Sequence, residues 1–503
     1  MARTSTLPTH SDKKVKERLL ETLAAIGDGT FSADQGIAYH TDPRNKISLP
    51  EGMSPSKGAA VLNDVAAALA QKEVFTRVFK YRPFDGAHAV TSVMSRLFGT
   101  TGRGVPIQTM FGSIPPQQVE IEISPTETTQ VPWGHVAFEH FDGKLILGAN
   151  HDPEYGPLFQ LQMECPKIHG AAVTGFFKLI QDELEKNSIY KGKSIREKKG
   201  APGDGLSFVK IEPNPTIVYN DDVYAKLRNT VWGVIENAAL FRADKRKVNK
   251  RGLLFGPYGT GKSEAGVMTA GIANANGWTF VQFHSGKGTL DDLESTINTA
   301  RLYQPAVVFV EDVDVYAAKD DEAYQTRLSN LFDGIGSKGD QVMLVMTSNK
   351  AASFSKAMLR AGRVDAMIEV GPLNKTATEK MIRLVIGDAR LDPSIDFETI
   401  HTAMEGYEPA FVRQTFDQAA EAAIIRNRSL DYVLGTQDFV DAANLLRPQH
   451  DLHRNKSDQP SEVTFDTVFH KAVKEAVQSV KGDVSIDVDD WEGEMTFSEK
   501  VVN

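Results

Sequence analysis

The chain has 503 residues, of which 41% are hydrophobic and 24% are charged, so it is long enough for about three folding units with cores of their own. Its net charge of -10 argues against a dedicated nucleic-acid-binding protein, and its single cysteine, Cys165, excludes an internal disulfide. No segment has the length and apolarity of a membrane span or of a signal-peptide core, so we expect a cytoplasmic protein without a membrane helix.

Residues 1–200 mix helical and strand patterns, and we expect a separate α+β domain there that recognises a substrate or partner. Helical patterns cover residues 11–26, 56–79, 86–97 and 168–185. Alternating apolar and polar residues predict strands of a small sheet at 119–124, 135–141, 144–148 and 158–163. The stretch 191–205 is rich in Lys, Gly and Pro and is typical of a linker.

A metal site in this region is the weaker of two interpretations of its histidines. His135 and Glu139 fall on one face of their predicted strand, whereas His140 falls on the other. No tight ligand spacing joins these residues to His151 or Cys165. We therefore expect ordinary structural roles for them.

From about residue 213 the pattern changes to short apolar runs separated by long amphipathic segments, which is typical of buried parallel strands with helical crossovers. Five strands are predicted, at 252–255, 279–283, 306–310, 342–347 and 366–370. Residues 374–447 predict a small helical bundle, and one more helix is expected near 465–480 before an acidic tail. The predicted units are therefore 1–200, 201–372, 373–447 and 448–503.

The strongest motif is Gly-Pro-Tyr-Gly-Thr-Gly-Lys-Ser at 256–263, which matches a phosphate-binding loop between a strand and a helix. Glycines in such a loop let backbone N–H groups surround phosphates, while Lys262 supplies a cation and Ser263 a hydroxyl ligand for magnesium. The alternative is a plain glycine-rich turn, but the flanking strand and helix favour nucleotide binding. We expect ATP to contact Gly256, Pro257, Tyr258, Gly259, Thr260, Gly261, Lys262, Ser263 and Glu264.

Polar residues end two later strands. Glu311 and Asp312 follow the strand at 306–310, at the sheet edge where ligands of parallel sheets bind. One carboxylate there can hold magnesium and the next can orient an attacking water, although acids after a strand also occur in solvated turns. Asn349 closes the strand at 342–347 and can position water or a phosphate, or simply form a turn.

Arg360 and Arg363 lie three residues apart, a spacing that lets two guanidinium groups reach a phosphoryl group of a neighbouring subunit. A surface cluster of salt bridges is the alternative interpretation of this pair.

Together these residues resemble the AAA family of ATPases over about 213–447, nearly half of the chain. The resemblance implies a P-loop α/β fold with a five-stranded parallel sheet and a helical lid, ATP and Mg²⁺ as cofactors, and a homo-oligomeric ring that is usually a hexamer. It assigns Walker A to 256–263, Walker B to Glu311 and Asp312, and sensor 1 to Asn349. It makes Ser263 and Glu311 the magnesium ligands, and Arg360 and Arg363 the arginine fingers.

Three features depart from the family pattern. The Walker B acids occur in the order Glu311 then Asp312, so the acid expected to orient water is shorter by about 1.5 Å. The segment 285–290 is short and lacks the aromatic residue of threading machines, but it carries Lys287. Both features are similar to the mitochondrial ATPase that moves folded Rieske protein. In the lid, Pro409, Ala410 and Phe411 replace the usual Gly-Ala-Asp, and Arg413 is either a sensor 2 arginine or a surface residue.

We therefore expect an ATPase that remodels or moves a macromolecule, with protein favoured as the substrate. A nucleic-acid-handling ATPase such as a loader, a small-molecule kinase, and a nucleotide-gated binding protein with weak turnover are the alternatives. The arginine pair and the helical lid argue against the kinase. The substrate itself is not named by any motif.

Overall fold

A computed structural model of the chain describes residues 71–99, 103–104, 106–110, 112–198, 205–212, 216–284, 289–317, 322–334, 340–350 and 363–457. These ranges contain an antiparallel N-terminal sheet, a larger and mostly parallel central sheet, and a helical lid. The helices predicted at 11–26 and 465–480 lie outside them. No helix within the described ranges is long and apolar enough to cross a membrane.

The N-terminal sheet is built of six antiparallel strands: β1 (Lys72–Phe79), β2 (Arg103–Gly104), β5 (Gln117–Ser124), β6 (Glu127–Phe138), β7 (Gly143–Asp152) and β8 (Gly156–Pro166). Their order is β1-β8-β7-β6-β2, with β5 also paired to β6. The short strands β3 (Ile107–Thr109) and β4 (Gly112–Ile114) form a separate hairpin. Helices α1 (Pro83–Phe98) and α2 (Gly170–Asn187) share a hydrophobic cluster with this sheet, so the sheet has one packed face.

The four strands and two helices predicted between 86 and 185 are confirmed. Most bounds differ by a few residues, but the strand predicted at 135–141 begins at Glu127, and its predicted end, Glu139–Phe141, is a 3-10 helix. The helical pattern at 56–79 is wrong over its described end, because residues 72–79 form strand β1 and pair with β8. Two of its apolar side chains, Val74 and Val78, are exposed. Because they are four positions apart, the spacing of residues on one face of an α-helix, they led to the helical prediction.

The central sheet contains the five predicted parallel strands: β11 (Arg251–Phe255), β12 (Thr279–His284), β13 (Ala306–Glu311), β14 (Val342–Ser348) and β15 (Ala366–Glu369). Two further strands, β9 (Ser194–Glu197) and β10 (Leu206–Phe208), extend it, so the order of its seven strands is β10-β9-β12-β13-β14-β11-β15. The predicted linker at 191–205 is therefore wrong over β9, which pairs in parallel with β12. The predicted boundary at residue 200 falls between two strands of the same sheet.

Helices cover both faces of the central sheet. On one face lie α3 (Asp221–Leu227), a π-helical turn (Arg228–Trp232), α4 (Gly233–Glu236), α5 (Ala238–Ala243) and α6 (Lys262–Ala275). On the other lie α7 (Leu290–Leu302) and α9 (Glu322–Gly334). The short helix α8 (Asp314–Ala317) follows β13. Successive strand residues alternate between the two cores: Val307 and Phe309 belong to one, and Val308 and Val310 to the other.

The N-terminal sheet and the α7 face of the central sheet share one continuous hydrophobic cluster. Tyr303 sits at the junction, where its hydroxyl accepts a hydrogen bond from the Arg82 backbone N–H at 3.0 Å. The Arg82 side chain is only 4% exposed and pairs with Glu197 on β9 at 3.1 Å. It also donates to Thr299 on α7. The N-terminal unit is therefore fixed to the central sheet by an ion pair between a buried arginine and a partly exposed glutamate, as well as by apolar packing.

The lid is the predicted helical bundle, and its helices are α10 (Lys375–Ile386), α11 (Phe397–Ala403), α12 (Pro409–Asn427) and α13 (Thr436–Ser457). Its core is a third hydrophobic cluster. A single bridge between Leu391 and Leu434 adds a contact that the sequence pattern did not predict. Helix α13 extends past residue 447, the predicted end of the lid.

Candidate nucleotide-binding site

The loop between β11 and α6 has a backbone that only glycine can supply. Gly256 has φ +155, and a Cβ there would lie 2.0 Å from the carbonyl oxygen of Val370. Gly261, directly before α6, has φ +91. Tyr219 donates a hydrogen bond from its hydroxyl to the Gly261 carbonyl at 2.7 Å. The sequence pattern predicted the glycines but not the role of Tyr219. This residue lies in the segment just before α3 and stabilises the loop through its hydrogen bond to Gly261.

Lys262 begins α6 and is 6% exposed. Its ammonium donates to the backbone carbonyls of Gly256, at 2.8 Å, and of Pro257. Burial lowers its pKa to about 8, although the Asp312 and Asp314 carboxylates act in the opposite direction. A buried cation whose hydrogen-bond acceptors are neutral carbonyls favours the approach of an anion such as a phosphate.

Asp312 follows β13 in a left-handed conformation, with φ 53. Its backbone N–H donates to the Thr347 hydroxyl at 3.1 Å, and its side chain accepts a hydrogen bond from the Asn349 amide at 2.7 Å. Asn349 also donates its backbone N–H to Asp314 at 3.3 Å. The ends of β13 and β14 are thereby joined, and Asp312 and Asn349, which the sequence analysis named separately, are brought into contact.

Glu311 occupies a different place from Asp312. It is paired across the sheet with His284, the last residue of β12, and the two side chains form a close contact. Glu311 is not among the residues that line the cavity described next. His284 was missed by the sequence analysis, and the only available signal was that both residues end neighbouring strands.

A cavity of about 400 Å³ opens beside the phosphate-binding loop. It is bounded by the loop, by the ends of β13 and β14, by the segment before α3, and by the lid. Its lining residues are Thr216, Ile217, Tyr258, Gly259, Gly261, Lys262, Ser263, Glu264, Asp312, Thr347, Asn349, Met381, Pro409, Ala410 and Arg413. The volume and the mixture of apolar and polar groups suit a nucleotide.

The lid closes one side of this cavity. The backbone N–H of Ala410, in the first turn of α12, donates to the Gly259 carbonyl at 3.0 Å. Arg413 lies one turn further along and donates to Thr216 at 2.8 Å and to Asp417 at 3.3 Å. Of the two interpretations of Arg413, the structure therefore favours a site residue over a plain surface residue.

Not every predicted site residue can be placed. Arg363 lies in the turn before β15 and does not line the cavity of its own subunit. Arg360 and Lys287 lie outside the described residues. Within the described residues, no group of three or more His, Cys, Asp or Glu side chains is arranged to hold a metal ion. In the N-terminal unit, His140 instead stacks on Phe98, with ring centroids 4.2 Å apart.

Comparison with a family model and with known sequences agrees with this assignment. The model of the "ATPase family associated with various cellular activities (AAA)" matches residues 252–372. The ATP-dependent zinc metalloprotease FtsH 2 of Symbiobacterium thermophilum is 29% identical over 225 residues, which are 42% of this chain and 38% of the relative. Proteasome-activating nucleotidase 2 of Halobacterium salinarum is 26% identical over 280 residues, 51% of this chain and 66% of the relative.

A third relative, the cell division control protein 48 homolog B of Arabidopsis thaliana, is 26% identical over 249 residues, 45% of this chain and 40% of that protein. The chain thus spans between 38% and 66% of the length of these three relatives. The matched region contains the phosphate-binding loop, both Walker B acids and Asn349. Residues 252–372 of this chain are therefore an AAA ATPase domain, homologous to those of the metalloprotease, the nucleotidase and the cell division control protein.

Proposed function

We propose that this protein binds and hydrolyses ATP with Mg²⁺ and uses the energy to do conformational work on a protein substrate, as a homo-oligomeric ring that is a hexamer. The observation that carries the proposal is the hydrogen bond between Asn349 and Asp312 at the wall of a cavity that also contains Lys262. A carboxylate held by an amide, facing a phosphate-binding loop, is the arrangement that hydrolysis of a phosphoanhydride needs.

The residues of the cavity fit a magnesium nucleotide. The buried ammonium of Lys262 suits the β and γ phosphates, and the Ser263 hydroxyl lies in the cavity wall beside it. Mg²⁺ is held in such sites by one or two protein oxygens and the phosphates, so no cage of protein ligands is required. When bound, the ion neutralises charge that develops on the transferred phosphoryl group.

In this proposal each residue has a distinct task. Lys262 binds phosphate oxygens, and Asp312 orients the attacking water while Asn349 fixes the carboxylate. Glu311, held by His284 outside the cavity lining, contributes negative charge near the magnesium rather than a direct ligand. Thr216, Ile217 and Met381 offer the less polar end of the cavity to the base, and Arg413 approaches from the lid.

A protein substrate is proposed from the relatives, since a metalloprotease and a proteasome-activating nucleotidase both carry names that refer to proteolysis. We further propose that the machine does not thread unfolded chains by aromatic paddles. Strand β12 ends at His284 and α7 begins at Leu290, so only five residues connect them, and none is aromatic. In this proposal residues 1–200 bind the substrate and motions of the ring displace it, a mode suggested by the resemblance to the Rieske translocase.

The experiment is a Mg²⁺-dependent ATPase assay of the full chain and of Lys262→Ala, with ATP affinity measured by a fluorescent analogue. Lys186→Ala, at an exposed position near the end of α2, is the matched control. We expect turnover in the wild type and in the control, and loss of both binding and turnover in Lys262→Ala. A wild type that binds ATP without hydrolysing it would favour the nucleotide-gated alternative, and one that does not bind ATP would contradict the proposal.

A further inference from the structure

A buried pair of polar side chains links the last described helix to the start of the lid helix that touches the phosphate-binding loop. Nε2 of His450, on α13, lies 3.1 Å from Oε2 of Glu408, the residue before α12. The two side chains are 2% and 11% exposed. A buried carboxyl group requires a hydrogen-bond partner, because van der Waals contacts alone do not offset the free energy lost when the group is removed from water.

Aromatic rings enclose this pair. Tyr407 packs on the His450 ring at a centroid distance of 4.5 Å, and Phe411 meets it edge-on at 5.1 Å. Nδ1 of His450 lies 3.4 Å from the exposed carboxylate of Asp451, and Arg447 covers the other side of Tyr407 at 4.4 Å. His450 therefore keeps a single orientation, with one ring nitrogen directed at Glu408.

The pair is connected to the nucleotide site through three consecutive residues. Glu408 forms the N-terminal boundary of α12, and Pro409 and Ala410 then line the cavity. The Ala410 N–H donates to the Gly259 carbonyl, as described above. A Cβ on Gly259 would lie 3.1 Å from that of Ala410 and 3.6 Å from that of Glu408, so the lid and the loop are in close contact there.

We propose that His450 is a positioning residue for nucleotide binding: by holding Glu408, it fixes the start of α12 against the phosphate-binding loop. The inference rests on the proposed ATPase function and deepens it. Without its partner, the Glu408 carboxylate would turn towards water and draw the Ala410 N–H away from Gly259. Asp312 and Asn349 belong to β13 and β14, so the chemical step depends little on this contact, whereas nucleotide affinity depends on it directly.

The test compares His450→Phe, which keeps the aromatic packing but removes the hydrogen-bonding nitrogen, with His450→Gln, whose amide can restore a hydrogen bond. Gln449→Ala is the matched control, because Gln449 is the exposed neighbour of His450 on the same helix. We expect His450→Phe to raise the KM for ATP and the dissociation rate of a fluorescent ADP analogue about tenfold, equivalent to about 1.4 kcal/mol. The kcat at saturating ATP changes by less than about twofold, and His450→Gln recovers most of the affinity.

A lower melting temperature of His450→Phe with unchanged KM and ADP release would overturn the inference and leave the pair with a purely structural role. If His450→Phe does not fold, Glu408→Asp takes its place, since it retains the charge but shortens the reach to His450. An unchanged KM in Glu408→Asp overturns the inference equally. Failure of the wild type to bind ATP would instead refute the proposed function, so the two failures are distinguishable.

Discussion

The side-chain amide of Asn349 donates a hydrogen bond to Oδ1 of Asp312 at 2.7 Å, which fixes a carboxylate at the wall of the cavity. The two residues lie 37 positions apart and meet because β13 and β14 are neighbours in the central sheet. Since Asp312 stands in a left-handed conformation, its side chain leaves the strand direction and faces the loop that contains Lys262.

Removal of the Asn349 amide should slow hydrolysis without preventing ATP binding, because the carboxylate loses its orientation while the phosphate-binding loop is untouched. We expect Asn349→Ala to lower kcat by on the order of 10²-fold, the usual cost of one oriented donor. Asn276→Ala, at the exposed end of α6, is the control. The measurement is the steady-state ATPase rate of the variant, the control and the wild type. An unchanged kcat in Asn349→Ala would show that Asn349 only forms a turn.

The two Walker B acids should behave differently when neutralised. Asp312→Asn is expected to bind ATP and to lose nearly all turnover, because it removes the group proposed to orient water. Glu311→Gln is expected to raise the Mg²⁺ concentration needed for half-maximal activity only modestly and to keep turnover, because Glu311 is held by His284 away from the cavity and supplies negative charge rather than a direct ligand. Titrations of Mg²⁺ at fixed ATP separate the two effects, and the reverse pattern would exchange the assigned roles.

The resemblance to the AAA family implies that Arg360 and Arg363 act at a neighbour's nucleotide, and Arg363 does not line the cavity described above. Such arginines contribute about 10³–10⁵ in rate. We expect Arg363→Ala rings to bind ATP and to be nearly inactive. Mixing them with inactive Lys262→Ala subunits should restore part of the activity, because some interfaces then combine an intact loop with an intact arginine. A chain that stays monomeric with ATP at high concentration would contradict this prediction.

The ion pair between buried Arg82 and Glu197, whose side chain is 22% exposed, should contribute to the attachment of the N-terminal unit. Removing the arginine leaves the partly buried Glu197 carboxylate without its cation, which should cost less than the about 3–5 kcal/mol of a fully buried pair. We expect Arg82→Met to lower the urea midpoint of unfolding clearly. Lys226→Met, which removes a partner of Asp222 in an exposed pair on α3, is the control and should change it little. Equal midpoints for both variants would show that apolar packing alone holds the junction.

Glu183 on α2 predicts an acid-dependent loss of stability. Burial alone raises its pKa, but hydrogen bonds from Ser92, Asn187 and Arg96 outweigh it and hold the pKa below the ordinary value. The carboxylate therefore contributes stability above its unfolded pKa, and that contribution is lost as the pH falls through the folded pKa. Glu183→Gln should be less stable than wild type near neutrality, and the difference should shrink on acidification. The exposed Glu185→Gln should track wild type throughout the urea series.

The strands of the central sheet were predictable because each is indicated by residues that are close together in the sequence. Each strand is a short apolar run, and the phosphate-binding loop needs glycines and Lys262 within eight consecutive residues. The order of the strands places Asp312 beside Asn349, a contact that the sequence analysis did not predict. Arg413 stayed ambiguous because its position in the cavity depends on how the lid packs, which no local pattern specifies.

Other features depend on pairing over long distances. Strand β1 pairs with β8, and β9 pairs with β12, in each case with partners at least 80 positions apart. Locally, β1 imitates a helix and β9 has the composition of a linker. The contacts of Glu311 with His284 and of Glu408 with His450 likewise join residues whose spacing carries no signal. The sequence shows which residue types occur at those positions, but it does not indicate which of them contact each other.

Strand β9 covers the side of β12 that would otherwise be the boundary of the parallel sheet. A fragment beginning at residue 213 would retain every nucleotide-binding motif and lose this cover. The backbone N–H and C=O groups of β12 would then be available to another copy, and unpaired edges of this kind promote aggregation. Expression of the ATPase region in soluble form therefore calls for a start before Ser194. Strand β9 therefore also protects the ATPase domain from aggregation through the edge of β12.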